Sequence, residues 1–354
     1  GAPLFSGIVS GVIGGILVGF FSNSALSVTG PAAGLTAIIL TAITDLGSFD
    51  IFLVAVILAG LLQIGFGFLR AGSFSNYFPT SVIEGMLAAI GIIIILKQIP
   101  HAFGHDVDNE GDFFFIEKSG HTTFDTLIES INFIHGGAII IAFISLFILI
   151  IWDKVPALKK IKVVPGALVV VVVSVFLNEF FIQTNSVLAI TTENHLVNLP
   201  SFTEIKNGFS LPNFGALTNV KVWTVAVTIA IVASIETLLC IEATDKLDPY
   251  KRYTDTNREL KAQGIGNIVS GLLGGLPMTS VVVRSSANIN SGGRTKLATI
   301  FHGSLLILFA LSIPFLLNKI PLAALAAVLI IVGYKLAKPS VFIHLWKNGY
   351  NQFI

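Results

Sequence analysis

Two ionisable side chains lie where the sequence is otherwise strongly apolar. Glu236 lies inside the apolar run from Val222 to Ile241, and Arg284 lies between two further apolar segments. An arginine at membrane depth costs about 2.5 to 3.5 kcal/mol or more, so such residues usually face a cavity or a partner. A buried glutamate can exchange a proton or hold a cation, and it can also form a fixed ion pair with Arg284. These two residues are therefore the first candidates for ion binding, with a static ion pair as the structural alternative.

Arg284 belongs to a broken segment that runs from Gly274 to Lys296. Glycines and Pro277 open this segment, and Gly292 and Gly293 close it. The part between them holds a helix of about a dozen residues, short of the roughly 20 that cross a bilayer. The first N–H groups of such a helix have no intrahelical partner and carry the positive end of the helix dipole. The segment therefore predicts an anion site.

A second broken segment lies near the start of the chain, from Ala25 to Leu35. A few extended residues lead to Gly30 and Pro31, and an apolar helix follows to about Ile43. Proline suits the first turn of a helix, where its missing N–H is no loss. Two interrupted hydrophobic segments in corresponding halves of a chain indicate the binding site of a transporter. The alternative is that both are kinked or re-entrant helices that only pack.

The composition indicates an integral membrane protein built from helices. Of 354 residues, 54% are hydrophobic and only 12% are charged, whereas a soluble domain carries about 25% charged residues. The formal net charge of +1 gives no indication of nucleic-acid binding. One cysteine, Cys240, excludes an intrachain disulfide and a cysteine-based metal cluster. No phosphate-binding glycine loop, serine elbow or zinc-binding helix motif is present, so the sequence gives no support for an enzyme.

Eleven apolar segments predict eleven crossings or half-crossings of the membrane. Glycines are frequent within them, and small residues let helices approach closely where lipid provides no hydrophobic drive for association. The predicted segments are Gly7–Phe21, Ala32–Ile43, Ile51–Phe68, Val82–Leu96, Gly137–Trp152, Val163–Leu177, Val222–Ile241, Leu260–Leu276, Met278–Ile289, Leu297–Leu317 and Pro321–Leu336.

The distribution of basic residues in the loops predicts the orientation. Fifteen lysines and arginines fall on one side and five on the other, so the basic side is expected to be cytoplasmic. The longest polar loops, Gln98–Gly136 and Ile182–Val220, then face outside. The first loop contains four irregularly spaced histidines, and this spacing gives little support for a metal site: His101, His105, His121 and His135.

Four ordered motifs resemble the SulP family of anion transporters, which includes relatives of the animal sulfate transporters and prestin. The resemblance extends through essentially the whole chain, and the motifs are SVTGPAAGLTAI at 27–38, SIETLL at 234–239, NRELKAQGIGNIVSGLLGGLP at 257–277 and VRSSANINSGGRTK at 283–296.

This resemblance implies an all-α polytopic membrane protein with two inverted repeats of seven segments, in which a core domain moves against a gate domain. The half-helices would be Ala32–Ile43 and Met278–Ile289. The two repeats would cover residues 1–181 and 222–354 of one transport domain, 1–354. The first segment, the last two and a cytoplasmic STAS domain would lie outside the sequence given.

The resemblance also implies the site residues. The anion would lie among backbone amides of both half-helices, with Arg284 behind it; the amides belong to Ala32, Ala33, Thr279, Ser280 and Val281. Glu236 would be the coupling carboxylate. Sodium-binding members carry an aspartate there and a hydroxyl residue four positions on, and this chain has Cys240 at that second position. The departure favours proton coupling or exchange over sodium coupling.

The predicted function is secondary active transport of a small inorganic anion, such as sulfate or bicarbonate, by alternating access. No cofactor or metal is expected beyond a coupling Na⁺ or H⁺. The resemblance further implies a homodimer, in the lipid bilayer of the inner (plasma) membrane. Three alternatives remain open at this point: a channel-like anion conductor, a nucleobase:cation symporter of the same architecture, and a membrane scaffold or enzyme.

Overall fold

The computed structural model describes residues 2–3, 5–31, 33–77, 80–106, 122–155, 164–200, 209–340 and 342–343. Helices dominate these residues, and two strands of three residues form one small sheet. The helices are α1 (Phe5–Ile13), α2 (Gly19–Phe21), α3 (Thr36–Leu46), α4 (Phe49–Phe68), α5 (Thr80–Phe103), α6 (Thr123–Ser130), α7 (Gly136–Lys154), α8 (Gly166–Gln183), α9 (Val220–Leu247), α10 (Thr256–Leu272), α11 (Val282–Asn290), α12 (Leu297–Ser312), α13 (Pro314–Leu317) and α14 (Leu322–Leu336), and the strands are β1 (Thr29–Pro31) and β2 (Met278–Ser280).

In the described residues, every apolar segment predicted from the sequence contains a helix, although the first three residues of the predicted segment Met278–Ile289 form the strand β2. Within the part of the chain that the structure describes, five helices, α4, α5, α7, α8 and α9, are long and apolar enough to cross a membrane, since about 20 residues span its hydrocarbon core. Three shorter apolar helices cover Phe5–Phe21, Leu297–Ser312 and Leu322–Leu336. The first of these is continuous because a π-helical turn, Gly14–Val18, joins α1 to α2.

One predicted loop is partly helical. The sequence predicted a polar loop from Gln98, but α5 continues through Pro100 to Phe103. Within the same predicted loop, α6 begins at a capping box in which Thr122 and Asp125 satisfy each other's backbone N–H groups. Such a local cap starts a helix without an apolar run, which explains why hydropathy alone missed it.

The histidines of that loop do not gather around a metal position in the described residues. The side chain of Asp106 is buried, and its two carboxylate oxygens lie 2.5 Å from the Nδ1 atoms of His101 and His195. His105 stacks on Phe133, and no group of three potential metal ligands occurs in the part of the chain that the structure describes. His121 lies outside the described residues.

The chain divides into two compact units that do not coincide with the predicted repeats. Unit 1 contains Gly1–Glu84 and Pro200–Pro314, and unit 2 contains Gly85–Leu199 and Phe315–Ile354. Each unit therefore takes chain from both halves of the sequence. The division by contacts and the division into repeats are separate properties, and the inverted repeats stay a prediction.

In unit 1, helices α4 and α10 cross with their backbones in contact. A Cβ atom built on Gly60 would lie 2.6 Å from the carbonyl oxygen of Gly264, and one built on Gly264 would lie 2.6 Å from the carbonyl oxygen of Gly60. A Cβ atom built on Gly271 would likewise lie 2.9 Å from the carbonyl oxygen of Leu53. Close helix packing through small residues, expected from the sequence, is present here.

Unit 2 is built around α7, α8 and α14, whose buried faces form an apolar cluster. Helices α5 and α14 approach each other closely, because a Cβ on Gly91 would lie 2.6 Å from the Gly333 carbonyl oxygen. Asn178 of α8 is buried and exchanges two hydrogen bonds with the backbone of Ile190, at 2.9 and 3.0 Å. This amide pairing fixes the chain that follows α8 against the helix.

Candidate functional site

The two broken segments meet in unit 1 through a short antiparallel ladder. Gly30 of β1 lies opposite Thr279 of β2, flanked by the pairs Thr29–Ser280 and Pro31–Met278. The chain turns into a helix after each strand. Because the strands are antiparallel, α3 and α11 leave from opposite ends of the ladder, and a three-residue ladder is only about 10 Å long.

Both helices that follow the strands are too short to cross a bilayer. Helix α3 has 11 residues and α11 has 9, which correspond to about 16 and about 14 Å at 1.5 Å per residue. A turn of 3₁₀ helix, Ala33–Leu35, precedes α3, and Gly47, with a φ of 83°, ends it. A pair of half-helices is therefore present, but both begin later than the predicted bounds of Ala32 and Met278. Helix α3 begins at Thr36 after the 3₁₀ turn, and α11 begins at Val282 because Met278–Ser280 pair with β1 as a strand. Neither helix has a side chain that caps its first N–H groups.

Polar side chains of α10 hold the two strands in place. The buried amide of Asn267 accepts a hydrogen bond from the Met278 N–H at 2.8 Å and donates one to the Met278 carbonyl at 3.1 Å. It thus acts on β2 as a neighbouring strand would. Gln263, one turn earlier, donates to the Thr29 hydroxyl of β1 at 2.7 Å and to Glu259 at 2.9 Å.

The residues of α10 that hold the strands were not predicted from the sequence, although the sequence contains a pattern that indicates them. Glu259, Gln263 and Asn267 are spaced by four and all lie fully buried on one face of α10. A polar stripe of that kind within a membrane protein points inward, because lipid offers no hydrogen-bond partner.

The backbone amides around the start of α11 fall into two groups. Those of Ser280 and Val281 already donate, to the Thr237 hydroxyl at 3.4 Å and to the Val28 carbonyl at 3.0 Å. The first bond within the helix runs from the Ser285 N–H to the Val281 carbonyl. The N–H groups of Val282, Val283 and Arg284 therefore have no intrahelical acceptor.

The Arg284 guanidinium lies directly against the backbone of β1. A Cβ atom built on Gly30 would lie 2.0 Å from its Nη1 atom. The described residues provide it with no ion pair and no hydrogen bond, and the guanidinium is largely shielded from solvent. The fixed ion pair with Glu236 that the sequence left open is absent. His302 of α12 is also close to Arg284.

The Glu236 carboxylate lies at the start of the other half-helix. A Cβ atom built on Gly34 would lie 3.0 Å from Oε1 and 3.1 Å from Oε2 of Glu236. Its Oε2 atom is buried and has no hydrogen-bond partner among the described residues. The Thr279 hydroxyl is also buried and faces the same carboxylate. A carboxylate and a hydroxyl are thus held ready for a proton or a cation.

The remaining predicted site residues are placed as follows. Ala33 begins the turn before α3, and of this residue only the backbone is described. Cys240 is buried one helical turn after Glu236, with its sulfur facing the Val282 amide. Ala32 lies outside the described residues. The structure brings together Glu236, Thr279 and Cys240 on one side and sets Arg284 at Gly30.

Two interrupted helices that start at one buried ladder, inside a bundle of apolar helices, define a polytopic membrane protein with the architecture of a transporter. The comparisons with known proteins agree. The family model described as the Sulfate permease family matches residues 1–354. The chain belongs to this family, which confirms the resemblance drawn from its motifs.

Two relatives and two solved structures show how far the likeness extends. The chain is 27% identical to YvdB of Bacillus subtilis over 94% of its own length and 59% of the relative's, and 28% identical to the bicarbonate transporter BicA of Synechocystis over 93% and 56%. It thus spans less than two thirds of these relatives. The transmembrane domain of a cyanobacterial BicA superposes with a TM-score of 0.67 at 25% identity, covering 98% of this chain and 84% of that one. SLC26A9 matches in fold, with a TM-score of 0.64 at 17% identity, over 98% of this chain and 56% of that one.

Proposed function

We propose that this chain carries the transport path of a secondary active transporter for a small inorganic anion of the sulfate or bicarbonate class. One observation carries the proposal: the unpaired guanidinium of Arg284 lies beside the start of α11, where three backbone N–H groups lack intrahelical acceptors. A positive charge and uncapped donors at one buried place favour an anion over a cation or a neutral base.

On the side of α11, the proposed donors are the amides of Val283 and Arg284 and the Arg284 guanidinium. Ser280 and Val281, which the family pattern nominates, already donate elsewhere in this structure. Ala32 and Ala33 stay the proposed donors on the side of α3. Each hydrogen bond to a charged group contributes about 1.5 to 3 kcal/mol, and each dipole about 0.3 to 1 kcal/mol. These magnitudes suit weak, reversible binding.

Glu236 is the proposed coupling residue. Its carboxylate lies against Gly34 at the start of α3, so the ionised form competes with an anion for the positive end of that helix. A proton on Glu236 removes this competition, and a proton and an anion then bind together. A sodium ion beside the Glu236 and Thr279 oxygens would act in the same direction, while Cys240 in place of a hydroxyl residue favours the proton.

Transport by this route exposes the site alternately to the two sides of the membrane. The family resemblance also supports a homodimer in the inner (plasma) membrane, and both stay predictions for this chain. A channel-like conductor is the second candidate. Saturable flux that depends on an ion gradient separates the transporter from the channel.

The test is uptake of labelled sulfate and of labelled bicarbonate by the complete protein in liposomes, with sodium and proton gradients imposed separately. We expect saturable uptake of one anion, driven by the proton gradient. Arg284→Ala and Glu236→Gln should each abolish net uptake while the protein stays folded, and Lys221→Ala, on an exposed residue at the start of α9, should not. Normal uptake by either variant would remove the assignment.

A further inference from the structure

Several helix ends of unit 1 bring cationic and aromatic side chains together on one surface. We call this surface the basic–aromatic rim; it comprises Phe20, Phe21, Phe68, Leu69, Arg70, Tyr250, Lys251, Arg252, Tyr253, Arg258, Lys261, Arg294 and Lys296. It includes the ends of α2, α4 and α9 and the starts of α10 and α12.

Side-chain contacts show that these segments are adjacent. Arg258 donates from Nε to the Phe21 carbonyl at 3.0 Å, and Lys296 donates to the Phe20 carbonyl at 3.0 Å. The Lys261 ammonium lies 4.4 Å from the centre of the Phe68 ring. Arg252 donates to the Arg294 carbonyl at 2.8 Å, which joins the 248–255 loop to the segment before α12.

The rim carries a surplus of positive charge. Seven of its members are lysines or arginines. Arg252 is paired with Asp248 at 2.6 Å, and none of the other six forms an ion pair in the described part of the chain. The neighbouring acids are occupied by backbone groups: Asp255 caps α10, and Asp245 accepts from Thr254.

Two cations of the rim also stabilise the local structure, but this role leaves some of their hydrogen-bond donors free. Arg258 and Lys296 satisfy carbonyls at the end of α2, where cations are favoured. Arg258 does so through Nε alone, so both Nη groups keep free donors that match two phosphate oxygens. Lys296 binds the Phe20 and Ser22 carbonyls and keeps one ammonium hydrogen.

The apolar members of the rim are too exposed for a surface that faces only water. The exposed fractions are 66% for Phe20, 72% for Phe68 and 80% for Leu69. Aromatic rings beside lysine and arginine at the ends of membrane helices are typical of the boundary between headgroups and acyl chains.

We propose that the basic–aromatic rim binds the phosphate headgroup of an anionic phospholipid. The guanidinium of Arg258 and the ammonium of Lys296 contact the phosphate, and the acyl chains lie along Phe20 and Phe68. A lipid fits better than an acidic protein, because cations and exposed apolar rings alternate on ends of helices that belong to the membrane domain. This inference is independent of the proposed transport function.

The experiment measures lipid binding to the complete purified protein by native mass spectrometry, with phosphatidylglycerol and phosphatidylcholine of identical acyl chains. We expect phosphatidylglycerol to bind at least tenfold more tightly. Since each basic residue near an anionic headgroup contributes about fivefold, Arg258→Gln with Lys296→Gln should weaken phosphatidylglycerol binding by about 25-fold. Lys221→Gln, outside the rim, should leave it unchanged.

A second variant keeps the test valid if the first one fails to fold. Arg70→Gln with Arg294→Gln removes two exposed charges whose side chains make no hydrogen bond in the described structure, so folding should be unaffected while binding falls. Equal affinity for the two lipids, or full phosphatidylglycerol binding by a folded double variant, would overturn the proposal. So would inorganic phosphate that displaces the lipid at equal concentration, because the apolar half of the site would then contribute nothing.

Discussion

A methyl group at Gly30 should displace Arg284 without removing its charge. The Cβ atom of Gly30→Ala would lie 2.0 Å from Nη1, and real Cβ atoms essentially never come within 3.0 Å of another heavy atom. The guanidinium must therefore retreat by the difference, about 1 Å. Arginine has a long flexible side chain, so we expect the retreat to occur there and the fold to persist.

The size of the effect follows from Coulomb's law. We take an anion about 4 Å from the guanidinium and a retreat of about 1 Å directly away from it. At an effective dielectric constant of about 20, a monovalent anion and the guanidinium then attract each other by about 4.2 kcal/mol at about 4 Å and by about 3.3 kcal/mol at about 5 Å. The difference of about 0.8 kcal/mol is about a fourfold loss of affinity for a monovalent anion. A divalent anion at the same place loses twice the energy, or about 16-fold. The Gly30→Ala variant therefore also distinguishes bicarbonate from sulfate as substrate.

The assay is equilibrium binding of the labelled anion to the complete protein in detergent, with Gly65→Ala as the matched control. No heavy atom lies within 4 Å of a Cβ built on Gly65, so this variant should bind like the wild type. Gly34→Ala places its Cβ 3.0 Å from Glu236 and should alter the pH dependence of uptake more than the affinity at the optimal pH. If Gly30→Ala folds and binds the anion as tightly as Gly65→Ala, then Arg284 does not act on the anion from its position at Gly30.

Three further predictions concern the hydrogen bonds and helix packing that stabilise unit 1. Asn267→Ala should lower the free energy of unfolding by about 3 kcal/mol or more, because it leaves the Met278 N–H, the Met278 carbonyl and Gln63 Oε1 without partners, at about 1 to 3 kcal/mol each. Unfolding in sodium dodecyl sulfate measures this free energy, and a loss below about 1 kcal/mol would contradict the role of Asn267 in holding β2. Gly264→Leu should prevent folding, since even a Cβ there would lie 2.6 Å from the Gly60 carbonyl, and a leucine variant that elutes as folded protein would contradict the helix crossing. Asp248→Asn should destabilise the protein at neutral pH, because the hydrogen bond from Arg252 holds the pKa of the Asp248 carboxyl below its ordinary value of 3.8. A group with a lowered pKa stabilises the folded state above its ordinary value and loses that contribution as the pH falls through the folded value, so thermal melts should show the variant and the wild type converging below about pH 4; a difference that persists in acid would show another cause.

The broken helices could be predicted from the sequence because their signals are local. Gly30 and Pro31 interrupt one apolar run, and Gly274 and Pro277 interrupt another, as the structure bears out with α3 and α11. The pairing of β1 with β2 could not be predicted in the same way. A register between residues about 250 positions apart depends on the fold that brings them together, and neither strand is long enough to show an alternating pattern.

The charged residues of the candidate site could be predicted from the sequence, but its hydrogen bonds could not. Glu236 and Arg284 are conspicuous because charge is rare in apolar segments. Which amides stay free depends on the Val28 carbonyl and the Thr237 hydroxyl, whose positions no sequence pattern gives. The sequence also left an ion pair between Glu236 and Arg284 open, and the structure instead places them at separate glycines of the first broken segment.

The most direct test of the central claim is a structure of the complete protein with selenate, whose selenium can be located by anomalous scattering. We predict a peak within hydrogen-bonding reach of the Val283 and Arg284 amides and the Arg284 guanidinium, and no such peak in the Arg284→Ala variant. A peak that stays in place without Arg284, or selenium found only on surface lysines, would contradict the account.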